Sequence, residues 1–348
     1  MGHYKNKAIT GYRGLFIIFI VFFHMGGEFE YIGNQIIRVL YKEGGNLGNA
    51  FFFMCSGYLI IMHYAERVIG KNESFSDFMK KRIISIYPIY FITEIVSIVI
   101  YVYRNGIYAI TFQDILFDML LIKTGWIYDD ATYNAVGWFV CVLMICYIAF
   151  YCSCIFSAKW ENSVKTLTYI MLSLVFVGLA IQNHPLGIPF LFGHNGTGLS
   201  NFFVGGLTAL LFWEKRKDRR ISIVATIILC LFLLTWVFFD IFLNYPDWLG
   251  RSHIVYTLFL CPLIFLSLDV GVVKIIGEVC YPLGIISKYV CFLHMPIYLV
   301  LRTILPSNYI LGPIKTYIIY WALLIVIAVI CFSCSKLIVR IKRLRKEI

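Results

Sequence analysis

Ten long apolar stretches divide the chain, at residues 10–26, 46–64, 84–104, 136–156, 164–181, 199–213, 220–243, 254–270, 283–304 and 313–335. A helix needs about 20 apolar residues to cross the hydrocarbon core, and a backbone in lipid must satisfy its own hydrogen bonds. The stretches are continuous and do not alternate, which excludes a transmembrane β-barrel. The expectation is an all-α polytopic membrane protein with about ten transmembrane helices. Composition agrees: 14% of the residues are charged and the mean hydropathy is +0.82, where a soluble domain averages about 25% charged.

The net charge of +11 is explained by where the cations lie. With the N-terminus in the cytoplasm, 22 of the 30 basic residues fall in cytoplasmic segments, while the outer loops 182–198 and 305–312 hold none. Such asymmetry is the positive-inside pattern, so both termini are expected in the cytoplasm and no nucleic acid is needed to account for the charge. The first apolar run is followed by His24-Met-Gly-Gly-Glu and carries no small-residue cleavage site, so it reads as an uncleaved span. Segment 109–122, with Asp114 and Asp118, reads as an interfacial amphipathic helix. Residues 1–348 read as one transmembrane domain with no appended soluble domain, placed in the plasma membrane. The cysteines, such as Cys55, Cys141 and Cys261, lie mostly in apolar runs, and the Cys152-Ser-Cys154 and Cys331-Phe-Ser-Cys334 spacings have no matching His set, which suits packing and gives no metal site.

Candidate chemistry begins in the first span. Arg13 and His24 are separated by ten uncharged residues, so on a helix they share a face to within about 20° and lie about 16 Å apart along the axis. Ionisable groups at that depth usually face a protein interior or a water-filled passage. In the ninth span, Ser287, Cys291, His294 and Tyr298 fall on one helix stripe. Lys80-Lys81-Arg82 precedes the third span; positive-inside charge explains it, and a phosphate clamp is the functional alternative. Ser56-Gly57 follows Phe51-Phe52-Phe53 and reads, taken alone, as close helix packing. Trp138 at a span edge is common in membrane proteins.

Together these motifs resemble the membrane-bound acyltransferase-3 family. The likeness rests on Arg13 and His24 in the first span and on Phe52, Phe53, Ser56 and Gly57 in the second. It rests further on Arg82, Tyr87 and Pro88, on Trp138-Phe139, and on Ser287, His294 and Pro296. It covers nearly the whole chain. Two positions depart from the family pattern: Ser85 stands where a second arginine is frequent, and the Trp138 span carries no acid.

The resemblance implies transfer of an acyl group, usually acetyl, from cytoplasmic acetyl-CoA to a glycan or lipid-linked sugar at the outer face. It implies His24 and His294 as catalytic residues. Arg13, Arg82 and Lys81 would hold the coenzyme, and Ser56, Trp138, Ser287 and Glu28 would contact the acceptor. His24 serves either as general base or as acyl carrier. A transporter or exporter of a modified saccharide is the rival, since intramembrane histidines occur there too. The sequence leaves monomer and homodimer open. Of the remaining polar residues, Asp129 and Asp130 read as a solvated loop or part of an acceptor site, and His184 with His194 lacks a ligand set for a metal.

Overall fold

A computed structural model describes residues 7–25, 35–212, 218–242, 252–304 and 312–347. The described residues are 84% helical and form no strand beyond an isolated bridge between Thr124 and Tyr128. In order the helices are α1 (Lys7–His24), α2 (Gln35–Ile69), α3 (Phe75–Asn105), α4 (Phe112–Met119), α5 (Gly137–Ser157), α6 (Ser163–Asn183), α7 (Gly193–Phe212), α8 (Arg219–Phe242), α9 (Ser252–Val255), α10 (Cys261–Ser267), α11 (Gly271–Val279), α12 (Tyr281–Ile304) and α13 (Gly312–Glu347).

The ten expected stretches are helical over their described residues, edges aside, as an all-α polytopic membrane protein requires. Among the described residues seven helices are long and apolar enough to cross a membrane, or up to eight if one bent pair counts as a single span. That pair, Tyr256–Ser267 and Gly271–Val279, turns by 85°. The first arm begins with a π-helical turn at Tyr256–Leu260 and runs on through Pro262, whose missing N–H is tolerated at a helix start. The bend falls at 268–270, just before Gly271, whose φ is +54°, a conformation suited to glycine.

Helix α7 is absent from the seven because it is too polar, with Asn195, Thr197, Ser200, Asn201 and five glycines. Protein surrounds most of its length, and α2 and α6 are its main neighbours. Small residues let these backbones meet. A Cβ added at Gly57 of α2 would sit 1.8 Å from the Phe202 carbonyl oxygen, and one at Gly205 of α7 would sit 2.1 Å from that of Met54. On the other flank, α1 lies against α11 and α12 with the same intimacy. The apolar side chains of α3, α6, α8 and α13 that remain exposed, such as Val99, Phe176, Leu234 and Val326, suit a surface solvated by lipid tails.

The surface-lying helix expected at 109–122 is shorter and more deeply seated. In α4 Asp118 is fully buried, and Tyr87 and Tyr90 of α3 donate to the carbonyls of Met119 and Asp118 at 2.9 and 2.7 Å. Two hydroxyls thus satisfy the backbone at the C-terminal end of α4, where a helix leaves carbonyls unpaired.

Candidate active site

One end of the bundle is fixed by the α2–α3 turn. Ser74 caps α3 by accepting from the Asp77 amide, and Glu73, almost wholly buried, takes Arg67 and Lys81 as ion-pair partners. Tyr151 of α5 donates to the Glu73 carbonyl at 3.1 Å, so the C-terminal ends of α2 and α5 lie together. A buried carboxylate needs such partners. They hold the start of α3 so that Arg82 faces inward. The Arg82 guanidinium lies 4.5 Å over the Tyr64 ring and donates to the Tyr64 hydroxyl.

Beside Arg82 a cavity of about 470 Å³ opens among α1, α2, α3, α5 and α12. Arg13, Arg82 and Lys288 all line it, with His63 and Ser56, and no lining residue is acidic. Arg13 makes no hydrogen bond or ion pair among the described residues. Among the described residues Lys288 donates to the Ser85 carbonyl alone, at 3.0 Å. Three cations around one apolar-walled recess repel one another, and no carboxylate among the described residues pairs with them. The recess is therefore complementary to an anion with several negative oxygens.

Cys291 and Phe292 of α12 line the inner part of this recess. One residue step beyond Leu293 lies His294, fully buried. Its Nδ1 contacts the carbonyl oxygen of Cys291 at 2.7 Å. A carbonyl only accepts, so Nδ1 carries the proton and Nε2 keeps its lone pair. Nε2 has no hydrogen-bond partner. The ring of His24, at the C-terminal end of α1, is 5.1 Å from that of His294. Thus two imidazoles from opposite ends of the sequence meet beyond a cationic recess.

The acyltransferase domain model of the acyltransferase-3 family matches residues 6–336. The chain belongs to the acyltransferase-3 family. It matches no curated protein and no solved structure. As an acyltransferase-3 protein the chain is a membrane-embedded acyltransferase, and membership favours acyl transfer over the exporter alternative.

The residues singled out in the sequence do not all gather at one place in this acyltransferase-3 chain. Arg13, Arg82 and Ser56 line the recess, and Ser56 donates to the Phe52 carbonyl at 2.9 Å. His24 and His294 form the ring pair. Lys81 is not on the cavity wall, and its ammonium is 2.5 Å from Glu73. Ser287 is buried and donates to the Gly284 carbonyl at 2.8 Å, within its own helix. Trp138 lines a different cavity. Glu28 lies outside the described residues.

Three residues escaped the sequence reading. Lys288 and His63 both line the cationic recess. Lys288 comes beside Ser85 and so supplies positive charge next to the place where the family often has a second arginine. Glu94 is fully buried within α3 and accepts from the Asn134 amide at 3.2 and 3.3 Å. The Asn134 side chain in turn donates to the Phe292 carbonyl at 3.0 Å, two residues before His294. A lone acid inside an apolar run was the available signal for Glu94.

Proposed function

We propose that this protein is an O-acyltransferase that carries an acetyl group from cytoplasmic acetyl-CoA to a hydroxyl of a cell-surface or exported glycan or glycolipid. The observation that carries the donor assignment is the recess with Arg13, Arg82 and Lys288 on its wall and no acid. Phosphate groups at those cations leave the pantetheine arm to run inward along α1. The Arg13-to-His24 separation of about 16 Å is of the order such an extended arm spans. Orientation follows the positive-inside rule: the recess end, with Arg67, Lys71, Lys80 and Lys81 nearby, faces the cytoplasm of the plasma membrane.

In the proposed reaction the His24 ring takes the proton from the acceptor hydroxyl as its oxygen attacks the thioester carbonyl carbon. The tetrahedral intermediate collapses, the carbon–sulfur bond breaks, and the departing thiolate takes the proton from the imidazolium. An O-acetyl ester and free coenzyme A result. His294, with its Nε2 lone pair unengaged, accepts a hydrogen bond from the His24 ring while that ring holds the proton. A positioned general base of this kind contributes about 10²- to 10⁴-fold.

The test uses purified protein, [14C]acetyl-CoA and a lipid-linked or soluble glycan fraction from the same cells. His24→Ala is expected to lose at least about 100-fold in transfer while keeping thermal stabilisation by acetyl-CoA. Arg13→Ala and Arg82→Ala are expected to lose that stabilisation. Near-parental turnover in His24→Ala ends the catalytic assignment, and undiminished stabilisation in both arginine variants ends the donor assignment.

A further inference from the structure

A second cavity, of about 400 Å³, lies toward the opposite end of the bundle from the cationic recess. Helix α2 lines both, through Asn46, Asn49 and Ala50 here and through Phe52 to Tyr64 there. Helix α5 does likewise, with Trp138 facing this cavity and Phe139 the other. The partition between them is aromatic: Phe53 packs 6.0 Å from Trp138 and 4.2 Å from Phe139. Phe23, on the wall of the second cavity, has its ring 5.1 Å from that of His24. Neither His24 nor His294 lines either cavity, but each cavity has a wall residue close to the pair in sequence or space: Cys291 and Phe292 for the recess, Phe23 for the second cavity.

Their chemistry differs sharply. Among the described residues no lysine or arginine lines the second cavity, and Asp129 is the one acid on its wall. Asp129 is 2.6 Å from Nδ1 of His194. A carboxylate only accepts, so Nδ1 donates and Nε2 is left for another partner. The His194 ring also packs 4.6 Å from Trp138. Gln182, on the same wall, has a buried side-chain oxygen with no hydrogen-bond partner among the described residues. The Asn49 amide makes no hydrogen bond among the described residues. A buried amide oxygen without a donor costs about 1–3 kcal/mol until a ligand supplies one. Amides, an oriented imidazole and an indole face together match a ligand bearing several hydroxyls on an apolar ring.

We infer that this cavity binds a neutral sugar unit and discriminates against acidic ones, with Gln182 and the Asp129–His194 pair as its hydroxyl partners. A uronate carboxylate would meet Asp129 with no cation among the described lining residues to offset it. The identification of this unit as the acceptor rests on the acyl-transfer reading; the binding itself does not.

The experiment is saturation-transfer-difference NMR on the full-length protein in nanodiscs, titrated with methyl β-glucoside, methyl β-galactoside, methyl N-acetyl-β-glucosaminide and methyl β-glucuronide. At least one neutral glycoside is expected to saturate. Its Kd is expected to rise about tenfold in Gln182→Leu and in His194→Ala, the size of one lost hydrogen bond. The glucuronide is expected to bind at least about tenfold more weakly, with the gap narrowing in Asp129→Asn. That conservative variant, with acetyl-CoA stabilisation as the folding check, covers the case of a misfolded alanine variant. The inference falls if no neutral glycoside saturates, if both cavity substitutions leave Kd unchanged, or if the glucuronide binds equally well. Saturable binding that the substitutions weaken, in a protein that transfers no labelled acetyl group, leaves the inference standing and removes the proposed function.

Discussion

Replacing Lys288 by methionine isolates the contribution of one cation to donor binding. Methionine retains most of the aliphatic stem, so the cavity wall keeps its packing. Two interactions disappear. The first is the hydrogen bond from Nζ to the Ser85 carbonyl, 3.0 Å long, a net loss of about 1 kcal/mol in stability. The second is the charge-assisted contact with a donor phosphate, about 1.5–3 kcal/mol. Bare attraction between unit charges 4 Å apart is about 4 kcal/mol at an effective dielectric of 20, so the contact value already includes part of the desolvation cost. Arg13 and Arg82 remain on the same wall and take up part of the ligand charge. The lower end of the range is therefore expected, raising the acetyl-CoA Kd about tenfold. Isothermal titration of detergent-purified protein measures it, and the variant should also show a shallower dependence on NaCl. Lys81→Met is the control, because Lys81 pairs with Glu73 and lies off the cavity wall. A Kd within twofold of the parent for Lys288→Met, or an equal loss in Lys81→Met, refutes the reasoning.

Other substitutions test the frame around the site. Gly57→Ala places a methyl 1.8 Å from the Phe202 oxygen, where ordinary contact starts at 3.4 Å. Helices α2 and α7 must part, at about 1–3 kcal/mol, and Tm should drop by several degrees. Gly193→Ala meets nothing within 4 Å and should leave Tm unchanged; equal shifts in the two would contradict the packing. Burial pushes the Asp118 carboxyl up to about 6, against the lowering effect of Lys123. Because the folded state holds this proton more tightly, the group's contribution to stability is lost as pH rises from about 4 through 6. Asp118→Asn should then melt higher than the parent at pH 7.5 and equally at pH 4, as read by thermal unfolding in detergent. Glu94→Ala leaves the Asn134 amide without its acceptor and loosens α12 beside His294. Transfer should fall while acetyl-CoA Kd holds, and a changed Kd with unchanged turnover would overturn that role.

Much of this molecule is dictated locally. An apolar run of span length has one stable form in lipid, so the helices at each of the ten stretches followed from composition alone. The Arg13–His24 register followed from helical periodicity in the same way. Which helices face lipid was not local information. The 199–213 stretch is short and carries Gly205-Gly206, and in the fold those glycines let α2 and α6 close around α7.

The site divides along the same line. Single-helix relations were legible: the cation and imidazole of α1, and the stripe of α12 that carries His294. Relations between distant helices were not. Lys288 comes beside Ser85 across 203 residues, Asn134 reaches Phe292 across 158, and Asp129 meets His194 across 65. No periodicity connects such positions. They become neighbours only when buried faces pair, and burial then makes each unpaired charge or amide costly enough to demand a partner. The sequence by itself settled that the chain lies in a membrane as helices. The tertiary packing alone decided that its polar residues line two chambers of different charge, and that two histidines from distant helices meet.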